Sequence, residues 1–233
     1  MKENRSVKRI LAILELIAAH PEGLTLGQIY RELDMPKATA YDFLQTLYKA
    51  DAVYYKDPRL KNYVIGSKMF AIGSVYTKNS SLIEASVHDL KNFANEHGKT
   101  VFITKETNDH YVHIYKYQPQ NSLIFINEEI GFTSDDYEIS PIGRAFRIFN
   151  SKRSELSEEE KVEYDQKYVL SNKQQGHVSQ ICVPVKNFEN RIVGMISVSD
   201  LWKDTPEKPE VIQTLLSIGR AISKRLGYLG GDV

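Results

Sequence analysis

Residues 25–66 read TLGQIYRELDMPKATAYDFLQTLYKADAVYYKDPRLKNYVIG, two stretches of helical period broken by a tight turn and followed by two β-prone runs. In the first stretch Leu26, Ile29 and Leu33 share a face, and the Thr25 hydroxyl can cap the helix start. Asp34 and Met35 form the turn. Pro36 suits the first position of the next helix, where its missing N–H leaves no bond unmade. In KATAYDFLQTLYKA, Ala40, Phe43, Leu44 and Leu47 point to a core. The turn signal KDPRLKN, flanked by AVYY and YVI, predicts a hairpin.

Upstream, Val7, Ile10, Leu11, Ile13, Leu14, Ile17 and Ala18 recur at helical spacing and predict one broad buried face, and Pro21 and Gly23 end that helix. Three helices and a hairpin, in this order, predict a winged helix-turn-helix. In that arrangement one helix crosses the duplex backbone and the next offers its amino-terminal end to base edges, while the hairpin reaches phosphate or minor groove. Lys37 at the start of the third helix favours a phosphate; Thr39, Tyr41 and Gln45 supply contacts on its exposed side. A solvated helix face in a protein-interaction module is the other reading of the same pattern.

Composition bounds the class without deciding the partner. The chain has 233 residues, enough for two small domains, and 42% hydrophobic with 26% charged residues is ordinary for a globular protein. The 30 basic and 30 acidic residues cancel overall, but residues 1–80 hold 12 basic against 8 acidic, and the remainder is correspondingly acidic. That split suits a module for an anionic partner joined to a non-basic one. The single Cys182 excludes an intrachain disulfide framework and a cysteine-rich zinc site. The apolar run near the start is broken by glutamate and histidine, so it reads as a globular helix rather than a signal peptide, and no stretch is long enough to span a bilayer. The expectation is a cytoplasmic protein with no membrane partner.

The run from Ser6 to Tyr76 resembles the amino-terminal domain of the IclR-type bacterial transcriptional regulators, with Pro36-Lys37, Asp57-Pro58 and Tyr63–Gly66 in register. The resemblance implies a DNA-binding regulator, a repressor by family habit, acting as a homodimer or dimer of dimers on a palindromic double-stranded operator. It adds Arg5, Lys8, Arg59 and Lys61 as backbone contacts, so that the candidate DNA-contacting set is Arg5, Lys8, Thr25, Lys37, Ala38, Thr39, Tyr41, Asp42, Gln45, Arg59 and Lys61. Three positions depart from the family pattern. Asp34 stands where glycine is usual, a left-handed position that aspartate tolerates better than most residues. Ala38 replaces serine, and Asp42 replaces arginine, which sets a carboxylate toward the duplex.

Residues 67–79 form a linker helix whose Met69, Phe70, Ile72, Val75 and Tyr76 predict a dimer-burying stripe. With 1–66 as the winged domain, 80–233 then forms a second domain. There SSLIEASVHDLKNFANEHG is a helix with Ser81 and Glu84 at capping-box spacing and Gly98 at its end. TVFITKE, HYVHIYKY and SLIFINE read as adjacent antiparallel strands, and Ser140-Pro141 opens a helix. SEEEKVEYDQKY reads as another helix, SQICVPVKNFENRIVGMISVSDLW as two strands, and PEVIQTLLSIGRAISKRLGYL as the last helix. The fold class is α+β throughout.

Residues 80–227 resemble, more weakly, the effector-binding domain of the same family, through ISPIGRAF and the two late strands. This implies a small organic acid effector and places candidate pocket residues at Ile142, Gly143, Gln180, Cys182, Ser197 and Ser199. The loop at Gly176 is shorter than in the family, leaving a degenerate domain that serves only dimerisation as the alternative. His110 and His113, three apart on one strand, face opposite ways and make no metal pair; His97 and His177 have no partner at ligand spacing. No cofactor, metal or catalytic constellation is expected, and HExxH, phosphate-loop and nucleophile-elbow motifs are absent.

Overall fold

The computed structural model describes residues 4–78, 80–108, 110–134, 137, 139–171, 178–201 and 209–230. The chain divides into two units, Met1–Asn79 and Ser80–Val233.

The first unit begins with α1 (Arg5–Ala18), capped by the Asn4 side chain, which accepts from the amides of Ser6 and Val7. Its second half packs against the core. Ile13 and Ile17 are sealed against the core, whereas Val7 and Leu11 are about half exposed, at 53% and 52%, so the broad buried face expected from Val7 onward is narrower and starts later. A two-residue strand, β1 (Leu24–Thr25), follows, then α2 (Leu26–Glu32) and α3 (Lys37–Lys49). β2 (Val53–Asp57) and β3 (Asn62–Ile65) form the hairpin, and β1 pairs with β3 to give the sheet order β1-β3-β2. Ile29, Ala40, Leu44, Val53 and Tyr63 close the core between helices and hairpin.

Three local devices set the turns. Thr25 and Gln28 form a reciprocal capping box at α2, and Asp34 takes the left-handed conformation at φ 46°, as its position between the helices requires. Pro36 is the N-cap of α3 rather than its first helical residue: its ψ of 132° is extended, because the chain is still leaving the turn there. Gly66 ends the hairpin, and a Cβ on it would lie 2.1 Å from the Asp51 carbonyl oxygen. α4 (Ser67–Lys78) then leaves Phe70, Ile72 and Val75 exposed; the Tyr76 side chain lies outside the described residues.

The second unit is a sheet between helices. α5 (Ser81–His97) is capped by the Ser80 hydroxyl, not by Ser81, and ends at Gly98 with φ 66°. The strands are β4 (Thr100–Thr107), β5 (His110–Tyr117), β6 (Thr133–Ser134), β7 (Val169–Leu170), β8 (Val178–Lys186) and β9 (Ile192–Leu201), in the antiparallel order β6-β5-β4-β9-β8-β7 among the described residues. α6 (Pro141–Asn150), α7 (Glu158–Gln166) and α8 (Pro209–Arg225) complete it. Alternation along the strands separates two cores. Val101, Ile103, Ile181, Val183, Ile196 and Val198 meet α5 and α8, while Tyr111, Cys182 and Met195 meet Ile142, Ala145 and Phe146 of α6.

SLIFINE is not a strand. The Ile126 amide donates to the Gln118 side chain at 3.2 Å and the Ile126 carbonyl accepts from Lys116 Nζ at 2.6 Å, so side chains answer backbone groups that a ladder would otherwise need. Its alternation instead turns Leu123 and Phe125 outward and Ile126 inward. The sheet's edge is β6, whose Thr133 and Ser134 pair with Val112 and Tyr111.

Candidate DNA interface and ligand cavity

The start of α3 presents Lys37, Ala38, Tyr41 and Asp42 to solvent, with Thr39 half-buried. Pro36 gives this helix no side-chain cap, and the first turn of any helix carries amides without intrahelical acceptors. An anion is therefore favoured there, and Lys37 adds a full positive charge. The hairpin offers Arg59, Leu60 and Lys61 at an exposed tip. Asp57 shapes that tip by accepting from the Arg59 amide at 2.6 Å and the Leu60 amide at 3.3 Å, while Lys61 closes it at φ 52°. Arg5 and Lys8 are exposed in the amino-terminal half of α1.

Two of the expected contacts are otherwise engaged. The Thr25 hydroxyl and amide are both taken by the capping box with Gln28. Gln45 is half-buried rather than on the exposed side, and its Nε2 donates to the Tyr63 hydroxyl at 3.4 Å; Tyr63 in turn lies 3.0 Å from the Tyr55 hydroxyl. Burial and the adjacent Tyr55 hydroxyl push the Tyr63 phenol above its ordinary range, so it keeps its proton. This chain of side chains ties the helix expected to read DNA to its hairpin.

In the second unit a cavity of about 730 Å³ opens on the α6 side of the sheet. Its floor includes Tyr111, Ser134, Gln180 and Ser199, its rim Ser140, Pro141 and Ser171, and its cover Phe125, Ile126, Asn127, Glu128, Phe132 and Ile139. The strand register explains which of the expected residues reach it. Gln180 pairs with Ser199 and Cys182 with Ser197, two successive rungs on one face. The outer rung lines the cavity, where Gln180 Nε2 donates to Ser199 Oγ at 3.3 Å. The inner rung does not: Cys182 and Ser197 are fully buried, and burial pushes the Cys182 thiol well above its ordinary range, which leaves it an unreactive core group.

Ile142 and Gly143 likewise do not line the cavity, being buried in the first turn of α6. A Cβ on Gly143 would stand 1.8 Å from the Tyr137 carbonyl oxygen, so glycine here serves close packing of the backbone. Their neighbours Ser140 and Pro141 are the residues that line the cavity, and the Ser140 hydroxyl accepts from the Gly143 amide at 3.0 Å. Gly176 and His177, with the shortened loop, lie outside the described residues.

His113 is fully buried behind the cavity, stacked 4.5 Å from Phe102 and 5.6 Å from Phe132. Its Nδ1 is 2.8 Å from the Thr104 hydroxyl and its Nε2 3.6 Å from Glu128 Oε2. Burial also raises the Tyr111 phenol, against the pull of hydrogen bonds with Ser134 and Ser140. Tyr111, Glu128, Phe132 and Ser134 were missed by sequence reasoning. Tyr111 and Ser134 share a strand pair, but Glu128 carries no local signal beyond its place in SLIFINE.

Residues 6–57 match the family model described as the IclR helix-turn-helix domain. The amino-terminal unit is therefore similar to IclR helix-turn-helix domains. It is 26% identical over 155 residues to an HTH-type transcriptional regulator of Haemophilus influenzae, a match spanning 66% of this chain and only 57% of that protein. The DNA-binding transcriptional repressor YiaJ of Escherichia coli is 22% identical over 98% of this chain and 90% of its own length. Among solved structures, an IclR transcriptional regulator from Alicyclobacillus acidocaldarius superposes with a TM-score of 0.80 at 20% identity, covering 98% of this chain and all of that one. An IclR homologue from Microbacterium hydrocarbonoxydans, solved with 4-hydroxybenzoate, gives a TM-score of 0.77 at 12% identity over 95% of this chain and 98% of that one. The fold is thus like that of these solved structures over nearly the whole chain.

Proposed function

We propose that this chain is a sequence-specific DNA-binding transcriptional regulator, a repressor acting in the cytoplasm, whose second unit answers a small organic effector. The observation that carries the DNA reading is the uncapped, lysine-bearing start of α3, in a unit whose hairpin tip bears Arg59 and Lys61. Lys37, Arg59 and Lys61 hold phosphates, and Ala38, Tyr41 and Asp42 face base edges. Phe70, Ile72 and Val75 on α4, with Val7 and Leu11 on α1, supply apolar surface for a homodimer or dimer of dimers, which matches a palindromic operator. The effector reading rests on the cavity and on the ligand held by the M. hydrocarbonoxydans homologue. The residues described in the cavity form no nucleophile–base pair, and none is assigned a catalytic role.

The test is a salt-dependent shift assay against genomic fragments. A regulator retains a protected palindromic site at physiological salt, and Lys37→Ala weakens binding across sequences while lowering the salt slope by about 1. Weak, sequence-independent retention that Lys37→Ala leaves unchanged would instead mark an interaction module built on the old winged fold.

A further inference from the structure

We infer that Asp42 sets a base preference of the amino-terminal unit, accepting a hydrogen bond from the exocyclic amine of a cytosine in the major groove of each operator half-site. The inference deepens the regulator reading above and rests on it. On a helix of 3.6 residues per turn, Ala38, Asp42 and Lys49 lie on the side of α3 opposite the buried Ala40 and Leu44, and all three are exposed. Gln45 stands at the edge of that stripe nearest the hairpin, where its amide reaches the Tyr63 hydroxyl. α3 follows the turn of the helix-turn-helix matched by the family model, and such domains seat this helix in the major groove with its amino-terminal half against the base edges.

What the stripe can read follows from its atoms. Ala38 offers a methyl group. Lys49, in the last turn, lies about 10 Å further along the axis than Asp42, beyond the half of the helix that meets the bases. Asp42 supplies an acceptor-only carboxylate. Among the described residues nothing is bonded to it, and the Thr46 hydroxyl donates to the Asp42 backbone carbonyl at 2.8 Å rather than to the side chain.

Phosphates repel such a group, so a seated helix turns it to the floor of the groove, away from the strands that attract Lys37. The floor offers two kinds of donor, the exocyclic amines of cytosine and of adenine. The adenine amine sits between two acceptors, its own ring nitrogen and the thymine carbonyl, which repel a carboxylate from either side. The cytosine amine has an acceptor on one side only, the guanine carbonyl, so a carboxylate gains its hydrogen bond there with less repulsion. A thymine in the same place puts a carbonyl where the amine stood, and the preference is then enforced by repulsion as well as by the bond.

Selection of bound duplexes from a random library with the full chain gives the site, and fluorescence anisotropy on the selected duplex measures each exchange of base pair. In the wild type, exchanging one C·G pair of each half-site for T·A should weaken binding at least about fivefold. Asp42→Ala and Asp42→Asn should bring that factor to about twofold or less, while exchanges at the other positions keep their cost. Asp42→Asn keeps the size of the side chain and supplies a donor for the thymine carbonyl, so preference lost at one position with binding retained separates a reading role from a folding one. A selected site at which neither variant changes the discrimination at any cytosine, or changes it at an adenine instead, overturns the inference and leaves the regulator reading standing. Retention with no site selected overturns the regulator reading and the inference with it.

Discussion

Replacing Tyr63 by Phe should loosen the two strands of the hairpin, and only slightly their tie to α3, without opening a cavity. The ring is 3% exposed and stacks 4.8 Å from Tyr55, and Phe preserves both its volume and that contact. What is removed is one oxygen that serves two partners, the Tyr55 hydroxyl at 3.0 Å and the Gln45 amide at 3.4 Å. The first is a full hydrogen bond, worth a net of about 1 kcal/mol; the second is at the limit of such contacts and adds a few tenths at most. Because Tyr55 and Gln45 are half-buried, both can turn to water, which keeps the loss near about 1 kcal/mol rather than the larger cost of a sealed orphan. That loss is roughly a fivefold change in the local opening equilibrium. Native-state hydrogen exchange on the full chain reads it at the β2 and β3 amides. Tyr55→Phe should cost a similar amount, and the double variant Tyr55→Phe/Tyr63→Phe little more than Tyr63→Phe alone, because both remove the same bond. Additive losses, or a loss within about 0.3 kcal/mol of zero for Tyr63→Phe, would refute the idea that this hydrogen-bonded pair fastens the two strands of the wing.

Gly143→Ala should lower the stability of the second unit by about 1–3 kcal/mol, since the new Cβ cannot stand 1.8 Å from the Tyr137 carbonyl oxygen without moving the start of α6; a denaturant titration of the full chain gives the value. Glu160 is pulled down to about 2 by its bond to the Arg147 guanidinium and by the Ser157 amide, so its contribution to stability is whole above the ordinary carboxylate value and is lost as pH falls toward 2. Comparing wild type with Glu160→Gln at pH 6 and pH 3 should show a difference that shrinks in acid. Asp42→Arg should tighten random-DNA binding and steepen its salt slope by about 1, while the ratio of operator to random-DNA affinity falls; fluorescence anisotropy with both duplexes measures the two together.

How much of this was legible depended on how local each cause is. Ala40 and Leu44, the left-handed Asp34 and the Ser140-Pro141 helix start follow from spacing and single-residue chemistry, and the structure has all of them. β1 and β7, two residues each, carry no period of their own and exist only because Tyr63 and Cys182 supply partners distant in sequence. Pro36 and Ser80 moved a helix boundary by one residue, because a cap is set by the direction of the incoming chain as well as by residue type. SLIFINE has the alternation of a strand, but a period of two also arises where a segment lies flat over a cavity with one row of side chains inward. Gln45 was misread for a related reason: its place on the helix wheel is correct, and only the fold brings Tyr63 beside it.

The cavity shows the same limit at one more remove. Period two puts Gln180 and Cys182 on one face of β8 and Ser197 and Ser199 on one face of β9, so the sequence identifies the correct wall. Which rung is open is decided by where α6 starts: Ile142, Ala145 and Phe146 cover the inner rung, and the helix begins too late to cover the outer one. The charge of the site is then set by residues outside the sheet. Glu128 belongs to a segment held by Lys116 through a backbone carbonyl and through Glu129, not by ladder bonds. A ligand regulates only by binding two states of the protein unequally, and reversing a 1:99 population takes a preference of about 10⁴-fold. Sheet residues such as Gln180 and Ser199 are fixed by register and offer nearly the same contacts in any state that keeps the sheet. The cover is tethered instead through side chains, Lys116 and Gln118, so the register that the sequence makes visible fixes the wall of the cavity and leaves its cover to contacts that only the fold brings together.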